Sequence, residues 1–450
     1  MAKPVVTSRI LRRLLSSGVH NRAENLLGRI HPADLGPILA DLTPDEIRTV
    51  VDLLFRQRRA ANMLRELPFE RLAEVMAALS DRRLAEVLDH LEIDDLADLV
   101  EALPEDRKEP VLGLLPERRR LELQKLELYP PSSAGRVMTT SYVAIDETMT
   151  AEEAIESIRA ASPGEEEMLY VYVVDGHHRL KGVVPIRRLV ASPPLRTCSE
   201  LMIRDVIQVA PDSDQEEVAN LVARYDLLAV PVTEGDGTLL GVITVDDVID
   251  VITEEATEDM YHLAGLSEED RVFSPPRVSI RKRLPWLILN LVTVTLAASV
   301  VAFFEHTLEQ MVSLAIFLPV VAGMGGNGGI QTLTVTTRGI ALGEIEFSTG
   351  LRAVGKEIAV GLSLGAAIGL ICAGLAIAWS GNPYLGFVMF ISLLVTLTFA
   401  GLLGAAVPLA LKALHQDPAL GSGVIVTAVT DAFGFVAFLG TATLLLDKLI

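Results

Sequence analysis

Between Leu67 and Pro116 a leucine followed by a polar or turn-forming residue recurs every twelve positions: Leu67-Pro68, Leu79-Ser80, Leu91-Glu92, Leu103-Pro104 and Leu115-Pro116. Each interval holds apolar residues at helical spacing, as in RLAEVMAAL and RLAEVLDHL, and so predicts one short helix of two to three turns. Helices this short do not persist alone. They must stack into a helical superhelix, which the looser match in PADLGPILADLTPDEIRTVVDLL extends back to about residue 24.

From Gly135 the pattern changes to β-branched runs alternating with helical ones. LYVYVVD, LKGVVPI, AVPVTEG and LLGVITV predict strands, with turns at Asp175-Gly176 and Gly235-Asp236-Gly237. This segment repeats itself. RVMTTSYVAIDETMTAEEAIESI aligns with ELMIRDVIQVAPDSDQEEVANLV at an offset of 64, and LKGVVPIRRLV aligns with LLGVITVDDVI at an offset of 59. The second copy runs on into DDVIDVITEEATEDM, a helix with seven carboxylates: Asp246, Asp247, Asp250, Glu254, Glu255, Glu258 and Asp259. Pairs four apart stack like charges on one face, each at a cost of about a few tenths of a kcal/mol. Pro275-Pro276 is expected to end that helix.

Five apolar spans follow, at about 285–304, 311–342, 358–379, 385–411 and 421–446. The second is too long for one straight crossing, since its 32 residues would reach roughly 48 Å against roughly 30 Å of hydrocarbon. It must tilt, protrude, or break near Pro319 and the glycines. The chain thus divides into an all-α superhelix over 1–130, a tandem α/β pair over 137–255 (copies 137–199 and 200–255), an acidic connecting helix over 246–274 and an α-helical membrane domain over 285–450.

Charge sharpens this division. Of the 59 acidic and 39 basic residues, 51 and 34 precede position 285, a net of −17 for the soluble part. That balance disfavours nucleic acid, which needs a basic footprint, and suits cations, although solubility alone would also explain it. The two cysteines, Cys198 and Cys372, offer neither a disulfide frame nor a Cys-based metal site. MAKPVVTSRILRRLL lacks a signal core. Basic residues cluster before span one (Arg277, Arg281, Lys282, Arg283), between spans two and three (Arg338, Arg352, Lys356) and between spans four and five (Lys412). The positive-inside rule then predicts a multi-pass protein of the cell membrane with its N-terminus cytoplasmic and its C-terminus outside.

Candidate chemistry lies in the spans. LPVVAGMGGNGGIQTLTVTTRGIALGE, residues 318–344, is rich in glycine, side-chain amides and hydroxyls, which make sense facing water rather than lipid. Gly325, Gly326, Asn327, Gly328 and Gln331 are therefore candidate pore-lining residues. Asp431, in VIVTAVTDAFGF, is the one acid well inside a predicted span and marks a candidate ion path. Thr427 and Thr430 beside it either offer oxygen to that path or bond their own backbone. One carboxylate per chain suits a largely hydrated Mg2+, and a twofold dimer would place two copies of Asp431 about one axis. GMGGNGG does not follow a strand in a βαβ unit, so it is no dinucleotide loop, and no enzyme activity is expected. His177-His178, in DGHHRL, reads as an exposed turn rather than a metal site.

The repeated segment resembles a tandem pair of CBS domains. In that family a Gly-x-x-Thr/Ser-x-x-Asp element often holds adenosine ribose and phosphate; the second copy has Gly241, Thr244 and Asp247, whereas the first has Pro185 and Arg188 at the corresponding places. The resemblance implies a place for an adenine nucleotide, with Tyr170, Arg187 and Thr244 as contributors. The order of superhelix, CBS pair, acidic helix and five spans, with the motifs PVVAGMGGNGGIQT, QDPAL and TAVTDAFGF, resembles the MgtE family of magnesium channels or transporters over essentially the whole chain. Ile330 and Arg59 depart from the family pattern, standing where Asn and another acid are often found. The resemblance implies a homodimer with its pore on the dimer axis and Asp431 as the ion-recognition carboxylate. It implies that cytosolic Mg2+, held by Asp94, Asp98, Glu216, Asp226, Asp247, Asp250, Glu255, Glu258, Asp259 and Asp417, closes the pore. The expected partners are a second copy, Mg2+ and membrane lipid. The alternatives are a CBS-regulated transporter of another divalent cation and a membrane-anchored nucleotide sensor.

Overall fold

The structure, a computed structural model, describes residues 4–39, 42–57, 60–65, 67, 69–161, 170–266, 270, 275–345, 347–414, 416–420 and 422–450. Arg59 lies outside the described residues. Contacts divide the chain into two units, residues 1–252 and 253–450.

In the first unit the twelve-residue repeat becomes a stack of short helices, among them Phe69–Ala78, Asp81–Leu88, Ile93–Glu101, Glu105–Leu112 and Glu117–Leu126. The recurring leucine sits just past each helix. Leu67, Leu79, Leu91, Leu103 and Leu115 are all buried, and each donates its N–H to the carbonyl three residues back, tightening the last turn. Carbonyls at these helix ends are also met by arginines that follow the same period. Arg107 donates to the Met76 and Leu79 carbonyls at 2.7 and 2.9 Å and to Asp81 Oδ1 at 2.8 Å, and Arg119, twelve residues later, donates to the Leu91 carbonyl. Starts are fixed by capping: Thr43 and Glu46 form a capping box, and Ser80 accepts from the Arg83 N–H.

The tandem pair forms two hairpins. Strands β1 (Ala144–Asp146), β2 (Tyr170–Val174) and β3 (Leu180–Pro185) make one sheet in that order, with β1 parallel and β3 antiparallel to β2. Strands β4 (Ala229–Thr233) and β5 (Leu239–Thr244) make the second. The four predicted strands are present; β1, three residues long, was not read from the sequence, and its counterpart in the second copy shrinks to a single parallel bridge, Val209 to Val232. The repeat is structural as well. Met202-Ile203 presses on Gly182 and Met138-Thr139 presses on Gly241, so closely that a Cβ at either glycine would meet a backbone oxygen at 2.6 or 2.8 Å. Tyr172 and Val174 of the first copy join Leu239 and Val242 of the second in one apolar cluster, which binds the copies together.

The acidic helix, Val245–Leu263, ends eleven residues short of the predicted end at 274. Gly265 (φ +67) adopts the left-handed conformation, and the N–H groups of Gly265 and Leu266 donate to the His262 and Tyr261 carbonyls, a glycine-based helix stop. The expected helix over 264–274 falls partly on residues 267–269 and 271–274, outside the described residues. Pro275 and Pro276 instead open the next helix, where a missing N–H costs nothing.

In the second unit, five helical stretches among the described residues are long and apolar enough to cross a membrane: Pro276–Phe303, Val312–Ala341, Thr349–Ser380, Pro383–Ala413 and Ser422–Leu444. The break in the second lies before Pro319: a 3-10 segment, Val312–Phe317, precedes an unbroken helix, Leu318–Ala341, that runs through all the glycines. The third helix, Phe347–Ser380, starts about a dozen residues ahead of its predicted span. It lies against the fourth, Pro383–Ala413, through Gly361, Gly365 and Gly369, where a Cβ would strike the backbone at Leu397, Leu394 and Phe390.

Candidate ion path and regulatory carboxylates

Glycines on the second membrane helix bring the fifth, Ser422–Leu444, into contact with it. A Cβ at Gly326 would stand 3.7 Å from Asp431 Oδ1 and 3.5 Å from Thr427 Cγ2, and one at Gly329 would stand 2.6 Å from Val426 Cγ1. Gly326, Thr427 and Asp431 therefore form one layer, with Asp431 half-buried. The Thr427 and Thr430 hydroxyls both donate to their own helix, to the Gly423 and Val426 carbonyls at 2.8 Å. Thr427 keeps only acceptor lone pairs for a ligand. Gly325 and Gly328 face the fourth helix, against Thr396 and Leu397.

The opposite pattern marks the uncovered side of the second helix. Gly323, Asn327, Ile330, Gln331, Thr334 and Val335 are exposed in the unit and recur at helical spacing, as one stripe. Amide side chains on a membrane helix need water or a partner, so this stripe does not suit lipid.

Sequence reasoning missed Glu357. It lies on the third helix, where the predicted span began one residue too late to include it, and it is 6% exposed. Lys356 Nζ donates to Glu357 Oε1 at 2.5 Å, and Thr332 Oγ1 of the second helix donates to Oε2 at 3.3 Å. The paired lysine and the threonine hydroxyl account for its burial.

The predicted sensor residues fall into groups. In the first unit Asp94 and Asp247 lie close enough to repel, and burial, then Asp247, pushes the Asp94 carboxyl well above the ordinary range. Its Oδ1 is buried without a hydrogen-bond partner. The Thr244 hydroxyl reaches Asp246 Oδ1 at 2.5 Å and Asp247 Oδ2 at 2.6 Å, with one hydrogen for both. In the second unit Asp417 Oδ2 accepts a hydrogen bond from His262 Nδ1 at 2.7 Å, and Glu258 lies 3.6 Å from the same nitrogen. Asp259 is pushed up by burial and by Asp417. Asp98, Asp226 and Asp250 are exposed, and Glu216 and Glu255 half-exposed. Among the described residues, no three His, Cys, Asp or Glu side chains gather as a metal site.

The end of the acidic helix meets the fifth membrane helix. The Leu263 carbonyl lies against Gly423, and Gly265 packs near Val424 and Trp286.

Tyr170 and Arg187 lie at one end of the first hairpin, where Tyr170 pairs with Pro185. Thr244 occupies the position in the second copy equivalent to Pro185 and is engaged by Asp246 and Asp247.

Comparison with known proteins follows this layout. Residues 30–132 match the MgtE intracellular N domain, 134–193 and 198–254 match the CBS domain, and 318–441 match the MgtE family, described as a divalent cation transporter. The chain is 38% identical over 442 residues to a magnesium transporter MgtE of Thermus thermophilus, covering 97% of this chain and 98% of that one. It is 37% identical to a magnesium transporter MgtE of Bacillus subtilis, covering 73% and 72%. A crystal structure of the cytosolic domain of the Mg2+ channel MgtE in complex with ATP matches 54% of this chain and 99% of its own, at 39% identity and a TM-score of 0.51.

Proposed function

The chain belongs to the MgtE family, and from that premise we propose that it imports Mg2+ through a pore at the axis of a homodimer and is closed by cytosolic Mg2+. The observation that carries the reading is the Gly326–Thr427–Asp431 layer, a carboxylate held against a glycine face beside a stripe of exposed amides. A carboxylate at this depth suits a cation that keeps most of its water, which is how Mg2+ binds. Two stripes facing each other across a twofold axis would give the amides of Asn327 and Gln331 a wet surface. In this reading the N-terminus is cytoplasmic and the C-terminus outside, the orientation that the basic loops favour.

Asp94, Asp98, Glu216, Asp226, Asp247, Asp250, Glu255, Glu258, Asp259 and Asp417 would hold the regulatory ions, which supply the positive charge that lets these carboxylates approach. Without it Asp94 and Asp247 repel, and the end of the acidic helix is no longer held against Gly423. Closure is then a difference in affinity between docked and undocked states. The likeness to a cytosolic domain solved with ATP supports an adenine nucleotide beside Tyr170 and Arg187.

The test is Mg2+ uptake into liposomes holding the purified full-length chain, read by an enclosed Mg2+-sensitive dye. Asp431→Ala and Asp431→Asn are expected to lower uptake about tenfold or more, the scale of losing one charged contact worth ~1.4 kcal/mol or above. Uptake that survives both substitutions removes Asp431 from the path. Absence of uptake by the parent at every cytosolic Mg2+ level would favour the membrane-anchored sensor.

A further inference from the structure

We propose that Glu357 is a positioning residue for transport: through the Thr332 hydroxyl, this buried carboxylate sets which face of the second membrane helix is turned to the ion path. The inference rests on the transport reading above and adds a residue outside the path on which the path depends.

A threonine on a membrane helix commonly spends its hydroxyl on its own backbone one turn back. Thr334, Thr336, Thr427 and Thr430 do so, donating to the Ile330, Thr332, Gly423 and Val426 carbonyls at 2.8–2.9 Å. Thr332, 7% exposed, departs from the pattern: its hydroxyl leaves its own helix and reaches Glu357 Oε2. Glu357 Oε1 is taken by Lys356, whose side chain comes in from the exposed side. Each carboxylate oxygen thus has its own donor, and a buried charge held in this way is not free to swing.

The packing shows what the bond adds. The fourth helix receives its two neighbours at glycines three residues apart. At Gly401 a Cβ would meet the Glu357 carbonyl oxygen of the third helix at 2.5 Å; at Gly404 it would meet the Gly329 carbonyl oxygen and Thr332 Cβ of the second at 2.6 and 2.8 Å. Glycine seams let backbones approach closely, but they present no ridge to a facing groove and so do little to fix rotation about a helix axis. The bond from Thr332 to Glu357 closes the triangle and supplies that direction. Gln331, the residue before Thr332, is turned about 100° round the helix from it, into the exposed stripe that also holds Asn327. With Thr332 pinned toward the third helix, both amides face the uncovered side and Gly326 stays in the Asp431 layer. Without the pin the second helix can roll on its glycines and carry the stripe off the path.

The experiment is the liposome uptake assay with Thr332→Val, Glu357→Met and the double variant beside the parent and Asp431→Ala. Each single substitution removes one end of the bond and is expected to lower the maximal uptake rate about fivefold, the scale of one buried hydrogen bond, while the double variant falls no further. Thr332→Ser and Glu357→Gln, which keep a donor and an acceptor, should recover most of the rate. A second readout follows the face itself: Gln331→Cys, in a chain carrying Cys198→Ser and Cys372→Ser, is labelled with a charged, water-soluble thiol reagent. Adding Thr332→Val should slow that labelling by a similar factor, whereas general loosening of the fold would speed it. Thr332→Val puts a methyl in place of a hydroxyl, and its labelling decides the matter alone where Glu357→Met gives no monodisperse peak by size exclusion. Losses that multiply in the double variant, or labelling as fast as without Thr332→Val, overturn the positioning role. So do single variants that transport like the parent while Asp431→Ala abolishes uptake, an outcome that leaves the transport reading standing. A parent without Mg2+ uptake, or Asp431→Ala at the parent's rate, overturns the transport reading and the positioning role with it.

Discussion

Adding one methyl group at Gly423 should weaken closure without touching the ion path. A Cβ there would overlap the Leu263 carbonyl oxygen, far inside the 3.4–4 Å of ordinary contact, and Ile330 Cδ1 stands on another side at 3.5 Å. The obstructing atom is backbone at the end of a helix, so it cannot swing away as a flexible tip would. Leu263 must retreat by about 1 Å for Gly423→Ala to fit, and overpacking of that kind costs about 1–3 kcal/mol. The cost falls on the docked state alone, so the ratio of docked to undocked protein should drop by a factor of about 5–150. In the uptake assay the half-inhibiting cytosolic Mg2+ concentration should rise, by less than that factor if several ions bind in concert, and uptake at low cytosolic Mg2+ should stay at the parent level. An inhibition curve that superimposes on the parent's would refute the reasoning, as would lost uptake at low Mg2+ with unchanged inhibition.

Two further outcomes concern the first unit. Arg107→Ala should cost about 1–3 kcal/mol in urea melts of the purified chain, because the Met76 and Leu79 carbonyls and Asp81 lose their shared donor; Arg107→Lys should recover only part, since an ammonium lacks the planar fork, and an alanine variant as stable as the parent would sink the capping role. The raised carboxyl of Asp94 means that the folded chain keeps a proton the unfolded chain releases, so in chelator stability should fall as pH rises from the ordinary carboxylate value toward the raised native one. Asp94→Asn should flatten that slope and raise the melting temperature at neutral pH without Mg2+; a slope left intact would locate its origin elsewhere.

Much of this molecule was legible along the chain. The twelve-residue leucine period, the 59- and 64-residue offsets of the tandem pair and the five apolar spans are local patterns, and each became the element its periodicity predicts. Asp431 also stood out along the chain, because charge is rare among apolar residues. Misreadings arose where one residue type serves two opposite ends. A Pro-Pro pair both stops a helix and starts one, so Pro275-Pro276 was assigned to the wrong helix, while Gly265, the true stop, looked like any loop glycine. Glu357 escaped notice because hydropathy places a span's edge at its charges, and only packing showed that charge buried beside Lys356 and Thr332.

What sequence alone determined, then, is which segments are helix, strand or span and which residues carry unusual chemistry, since those follow from short-range spacing and composition. Which way each side chain faces was decided by tertiary structure. Gly325, Gly326 and Gly328 are chemically identical and adjacent, yet a helix turns them toward different neighbours, Thr396, Asp431 and Leu397. Likewise nothing local relates Leu263, Ile330 and Gly423, which are brought to one point only because three helices separated in sequence pack there.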